Sequence, residues 1–421
     1  MSSESDSVFN PIPTPIPIPI PILNPKSFFK SKLKSKLKSS RLHKIFSNLS
    51  LSFSNNNIIS SSSDPNLNHS SIYSNSPHDY HLGSTIGFGN SSLVRLAQFK
   101  PKDHQLCALK IINIDRLTHK QVDYLRRETL IMSLAKHPNL LPVLGQWVND
   151  TSLCIAMPLM RAGSLTSIMQ YHYQDGLPEL VIATILIQAL SGINYLHSNG
   201  WIHRDIKAAN LLVNHDGTVL LADFGISVGL NLDSNDFSPF PSDSNLIGSC
   251  PSFEDRAMIR KRSSFVGTVM FMAPEIVLQS EYNDRADIWS FGITALELSL
   301  GKAPRATSTP AQILFDTVQK PSPTLDRSRP GAPYKYSKTF KRLIDRCLQK
   351  SPPLRPPSRE LIQHRFFRQA RPKNYLVSTI LRDLPPLEQR QERSCLPQTA
   401  SRKPSLCWDF SQFPSTFNSS K

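Results

Sequence analysis

The chain has few cysteines, and they follow no pattern. Cys107, Cys154, Cys250, Cys347, Cys395 and Cys407 form no C-x-x-C pair and no regular spacing, and no secretory signal precedes them. That argues against a disulfide scaffold and leaves the thiols as ordinary core or tail residues in a reducing, intracellular compartment. An unbroken apolar run near the start is also lacking. The nearest approach, PIPTPIPIPIPIL from Pro11, puts proline at every second position. Proline so spaced forbids a helix, so neither a signal core nor a membrane span forms there. A stiff polyproline II segment is the expected state. Acidic residues are short of basic ones, 32 against 48, for a formal net charge of +16. Such an excess suits nucleic acid, an anionic membrane or acidic partners, and its distribution matters more than its total.

Hydrophobic residues make up 39% of the 421, and prolines number 34. One part of the chain can therefore bury a core, while another is too polar and proline-rich to do so. The length fits one large bilobal domain with tails. Residues 1–78 read as a disordered tail in three blocks: the Pro-Ile repeat, a basic block from Lys26 to Lys44, and a Ser/Asn-rich stretch to Ser76. Within KSFFKSKLKSKLKSSRLHK, Phe29, Leu33 and Leu37 fall at i, i+4 and i+8, with lysines on the other faces. Residues 26–46 thus fit a basic amphipathic helix lying on an anionic membrane. A solvated charge run or a nuclear-import-like patch fits the same block. Glu4 and Asp6 argue against a transit peptide. The expected location is cytoplasmic, with a membrane-peripheral or nuclear fraction, and no specific nucleic-acid binding is expected.

From Tyr80 the pattern changes to short apolar runs. SLVRLAQF and CALKIINI read as paired strands, QVDYLRRETLIMSLA as a helix, and LLPVLGQWV and SLCIAMPLM as further strands. Beyond Leu177 long amphipathic segments such as VIATILIQALSGINYLH predominate. A small β-rich unit followed by a larger helical one predicts an α+β chain of two lobes with a cleft between them.

The candidate chemistry begins in IGFGNSSLVRLA. Gly87 and Gly89 fit a G-x-G-x-x-G phosphate loop followed by Val94, but the third glycine position is Ser92. Two glycines alone usually serve only the backbone of a hairpin. Residues further along the chain give them weight. Lys110 in CALK stands on a predicted strand from which an ammonium can reach phosphates, and Glu128 on the next helix is the expected partner of that lysine. WIHRDIKAANLLV is far more specific. Asp205 would accept the proton of an attacking hydroxyl, Lys207 would face the γ-phosphate, and Asn210 would hold a metal. LADFGIS adds Asp223, a carboxylate suited to Mg²⁺, and Gly225, which lets the backbone turn. Glu275 in MAPEI can pair with Arg355 in LRPPSREL and tie a substrate platform to the helical lobe. Together these define a protein kinase that uses ATP and Mg²⁺. The third loop position mainly needs a small side chain, which Ser92 provides.

YLHSNGWIHRDIKAANLLV, LADFGIS, FVGTVMFMAPE and ADIWSFGITALEL resemble the sterile-twenty-like kinases, in particular the germinal-centre branch with its oxidative-stress-responsive and Fray-type members. The resemblance spans about Tyr80 to Phe367, within a kinase domain expected over residues 79–368, and continues into ARPKNYLVSTILRDLPPLEQR, an extension at residues 369–391. It implies a bilobal fold: an antiparallel β-rich lobe with one regulatory helix, and a larger α-helical lobe. It further implies an ATP site of Ile86, Gly87, Gly89, Val94, Ala108, Lys110, Met157, Pro158 and Met160, with Met157 as gatekeeper and the 158–160 backbone against adenine. Thr268 would join the substrate platform. Ser264 matches an activation-loop phosphoacceptor that is usually threonine in this branch, and Arg204 offers a guanidinium to its phosphate. Ile226 goes with a preference for threonine acceptors. Expected partners are proteins bearing Ser/Thr acceptors and an upstream activating kinase.

Two features depart from the pattern. Residues 229–259, rich in Ser, Asp, Asn and Pro, read as a disordered insertion in the activation segment. About thirty residues follow Arg390, as a disordered tail from 392, too few for the peptide-docking domain of animal relatives. Two other readings compete: a nucleotide-binding pseudokinase scaffold that activates a partner kinase, which the intact catalytic positions oppose, and a chain acting chiefly through its basic tail.

Overall fold

The structure, a computed structural model, describes residues 73–88, 92–115, 117, 119–223, 268–328, 330–387 and 389–390. Five strands open the fold: β1 (Tyr80–Phe88), β2 (Ser92–Phe99), β3 (Gln105–Asn113), β4 (Gly145–Asn149) and β5 (Ser152–Pro158). They form one antiparallel sheet in the order β1-β2-β3-β5-β4. The helix α1 (His119–Leu134) is inserted between β3 and β4. Successive side chains of a strand point to opposite faces, so β3 sends Cys107 and Leu109 one way and Ala108 and Lys110 the other. The first pair joins Tyr80, Ala97, Phe99, Trp147, Cys154 and Ala156 in an apolar cluster.

That cluster corrects the boundary of the tail. Residues 73–78, assigned to the tail by composition, pack on the sheet. Tyr73 stacks on Phe99 with ring centroids 4.6 Å apart, and Tyr80 stacks on Trp147 at 4.5 Å. The Ser74 carbonyl accepts from the Tyr80 hydroxyl at 2.7 Å, and Asn75 Oδ1 accepts from the Gln146 N–H at 2.9 Å. One aromatic ring covering an apolar face outweighs the polar composition around it. LLPVLGQWV is corrected too: only its second half is strand. Pro142 has no N–H to give a ladder, and Leu140 makes just an isolated parallel bridge to Leu221.

The helical part begins with α2 (Leu165–His172), whose N-terminus Ser164 caps by accepting from the Ser167 N–H at 3.2 Å. The helices α3 (Glu179–Ser198), α4 (Pro274–Val277), α5 (Arg285–Leu300), α6 (Pro310–Gln319), α7 (Lys338–Cys347), α8 (Ser358–Leu361) and α9 (Asn374–Ser378) come after it. A small sheet of β6 (Gly163–Ser164), β7 (Leu211–Val213) and β8 (Val219–Leu221) lies among them. By length and composition α3 is apolar enough to cross a membrane, but it is the core helix of this lobe, with Val181, Ile182, Ile185, Leu186 and Leu190 fully enclosed. The helix α5 is buried almost end to end, its two acidic residues Asp287 and Glu297 included. These two helices form the frame on which the loop 201–210 is hung.

The extension after residue 369 packs on this lobe. Lys373 pairs with Asp216 at 2.6 Å, the Arg371 N–H bonds Thr184 Oγ1 at 3.0 Å, and Leu376 and Ile380 are buried. Gly217, at φ +80°, is the one residue type that fits beneath it, because an added Cβ would lie 2.0 Å from the Lys373 carbonyl oxygen.

Candidate active site

The loop 201–210 is held from below by one carboxylate. Asp287 on α5 is fully buried and accepts the backbone N–H of His203 at 2.7 Å, that of Arg204 at 2.8 Å, and His197 Nε2 at 2.8 Å. Burial alone would raise its carboxyl, but the hydrogen bond and charge of His197 and the Arg204 N–H hold it below the ordinary range. A hydrogen bond to a charged group is worth about 1.5–3 kcal/mol, enough to keep Arg204 at φ +73°, a conformation rare for residues with a side chain. Glu297, further along α5, accepts the Ala208 N–H at 2.8 Å. Burial pushes its carboxyl up to about 7, against the pull of that N–H and of Lys207.

Held this way, the loop gathers polar side chains around Asp205. Lys207 Nζ donates to Asp205 Oδ2 at 2.7 Å and to Thr268 Oγ1 at 2.7 Å. Thr268 Oγ1 donates to Asp205 Oδ1 at 2.8 Å, and Asn210 Nδ2 reaches Asp205 Oδ2 at 2.9 Å and its carbonyl at 2.7 Å. Partial burial would raise the Asp205 carboxyl, but the Lys207 charge and the donors Lys207, Thr268 and Asn210 lower it below the usual carboxylate value. The group is therefore ionised at neutral pH and accepts hydrogen bonds. His203 is fully buried, and burial lowers its basicity, so its imidazole is neutral.

Across the cleft, Lys110 Nζ contacts Asp223 Oδ1 at 2.5 Å. Glu128, the expected partner, acts on Lys110 through its charge, and the direct ion pair that Lys110 makes is with Asp223. Burial raises the Glu128 carboxyl to about 7, a rise that Lys110 reduces and Asp223 and Asp205 reinforce. The partner Lys110 does meet, Asp223, is half exposed. Lys110 itself remains charged: burial would lower it, but Asp223 and Glu128 raise it further.

The remaining residues divide into those placed and those outside the described part. Val94 pairs with Gly87 and Lys110 across the sheet, Ile86 and Ala108 are buried beside them, and Met157 pairs with Ala108 at the end of β5. Pro158 ends that strand, and Met160 is buried just beyond. Glu275 and Arg355 form a buried two-pronged ion pair at 2.6 and 2.8 Å, with Arg355 also stacked 5.1 Å from the Trp289 ring centre. Gly89, Gly225, Ile226, Ser264 and residues 229–259 lie outside the described residues. The sequence reading missed Asp287, Glu297 and His197. Their signal was three ionisable groups within otherwise apolar helical runs, where a charge is costly unless it has a partner.

A two-lobed chain with a lysine–aspartate pair over a buried catalytic-type loop is the architecture of protein kinases, and a protein kinase domain profile matches residues 80–367. The chain belongs to the protein kinase family. Among curated relatives it is 41% identical over 76% of its length to serine/threonine-protein kinase fray2 of Dictyostelium discoideum. It is 35% identical over 79% of its length to fray1 of the same organism, and 36% identical over 76% to germinal center kinase 3 of Caenorhabditis elegans. The matched part makes up 28%, 53% and 52% of those three relatives respectively.

Proposed function

We propose that the protein is an active serine/threonine kinase that transfers the γ-phosphate of ATP to protein hydroxyls, in a signalling or stress-response setting. The observation that carries this reading is the ionised Asp205 held among Lys207, Thr268 and Asn210, opposite the Lys110–Asp223 pair. Asp205 would accept the hydrogen bond of the incoming hydroxyl and aim its oxygen, while Lys207 would neutralise charge on the transferred group. Lys110 would hold the other phosphates. Thr268 would fix the acceptor side of the cleft, and the Glu275–Arg355 pair would keep that side attached to the helical lobe.

The donor set fits Mg²⁺. Asp223 offers a half-exposed carboxylate, and Asn210 spends its amide hydrogens on Asp205, leaving its oxygen as a ligand. Hard oxygen donors suit this ion, and when bound it would supply charge neutralisation at the phosphates. Ser264 is the candidate activating phosphoacceptor, supported by its place four residues before Thr268. The reading includes protein substrates, an upstream kinase, and electrostatic contact of residues 26–46 with anionic membranes. It also includes a cytoplasmic location with a peripheral or nuclear fraction.

The test is transfer of labelled γ-phosphate to a mixed threonine and serine peptide library with Mg²⁺. Wild type should transfer, Asp223→Asn should abolish the signal, and Ser264→Ala should lower it. ATP binding without transfer, even after treatment with activating kinases, would replace the enzyme by a scaffold.

A further inference from the structure

The segment 159–163, which comes after β5 and leads into β6 and α2, is held by one internal bond, Gly163 N–H to the Met160 carbonyl at 2.9 Å, and by one bond to β7, Ala162 N–H to the Val213 carbonyl at 3.2 Å. A third tie comes from the far end of the chain. Arg390, 228 positions away, donates Nη2 to the Ala162 carbonyl at 2.7 Å. Its Nη1 donates to Ser167 Oγ on the first turn of α2 at 3.2 Å, and its Nε to the Pro385 carbonyl at 3.1 Å. The whole residue is only 7% exposed. Beside it Leu387 lies against Gly163, where an added Cβ would stand 2.8 Å from Leu387 Cδ1, and where φ is +74°. The extension is thus seated on this segment, and the segment carries the residue type that lets it sit so close.

We propose that Arg390 is a positioning residue for nucleotide binding: its guanidinium fixes the segment that presents the 158–160 backbone to adenine. The inference rests on the reading of that backbone as the adenine site. A planar fork with donors in three directions is what joins a carbonyl, a hydroxyl and a second carbonyl at once, and lysine cannot reproduce it. Loss of the fork removes bonds to Ala162, Ser167 and Pro385, none of which belongs to the Asp205, Lys207 and Thr268 cluster on the peptide side. The cost should therefore fall on nucleotide affinity alone.

The experiment compares full-length wild type, Arg390→Ala, Arg390→Lys and Ser167→Ala. It uses direct binding of a fluorescent ATP analogue, KM for ATP, KM for peptide, kcat at saturating ATP, and thermal melting. Arg390→Ala should raise both the analogue Kd and the KM for ATP about five- to tenfold, the weight of one ordinary hydrogen bond in the segment it fixes, with kcat and peptide KM within about twofold. Arg390→Lys, which keeps the charge and the apolar stem and so folds, should fall between, and Ser167→Ala should shift Kd by no more than about twofold. Unchanged nucleotide affinity in Arg390→Ala or Arg390→Lys would overturn the proposal. So would a parallel loss of kcat and peptide binding with a lower melting point, which marks a merely structural role. Wild type that binds the analogue but transfers nothing would overturn the catalytic reading while the Kd comparison still decides this one. Wild type that binds no nucleotide would overturn both.

Discussion

Glu297 shows how much a single buried carboxyl can impose on a loop it never leaves. Its folded-state value of about 7 lies above the ordinary 4.5, so the folded protein holds a proton that the unfolded chain gives up between those values. The associated stability is fully present below pH 4.5 and is lost as pH rises through 7, at 1.36 kcal/mol per unit, about 3 kcal/mol in all. Glu297→Gln keeps an acceptor for the Ala208 N–H and removes the titration. Urea melts across this range should show a flatter pH dependence in the variant, and an identical slope would refute the assignment. At this scale the sequence was legible where side-chain type alone decides. Asp205, Lys207, Asn210 and Asp223 could be picked out by spacing because one short loop fixes their relation. The choice of Lys110 between Asp223 and Glu128 could not, since it depends on where α1 settles and how deeply its carboxyl is buried.

Among the elements, strands and long helices declared themselves through periodicity: SLVRLAQF is β2 residue for residue. The packing of residues 73–78 was hidden because the segment resembles the polar stretch before it in everything but Tyr73. Its contribution is measurable. Tyr73→Ala should lower stability by about 1–2 kcal/mol, the worth of a half-buried ring stacked on Phe99, whereas Tyr73→Phe should be nearly neutral in the same denaturation assay. Equal stability of all three proteins would mean the segment lies on the sheet without holding it. The strap of residues 370–390 was likewise unreadable as packed structure, because its anchors, Leu376, Ile380 and Arg390, are scattered among exposed charges and meet partners distant in sequence.

For the molecule as a whole, the basic excess divides its functions. Removing residues 1–72 should leave phosphate transfer within about twofold of wild type, since the sheet keeps Tyr73. It should abolish binding to vesicles containing phosphatidylserine, and in the intact protein that binding should fall steeply as ionic strength rises. Vesicle binding that survives the truncation would assign it to the kinase domain. The Asp287 anchor bears on a different matter, the order in which the chain is made. His203 and Arg204 leave the ribosome 84 and 83 residues before the carboxylate that holds their backbone. The loop that positions Asp205 thus waits, unanchored, through the synthesis of everything between, and a nascent chain arrested short of α5 should expose it to protease until translation resumes.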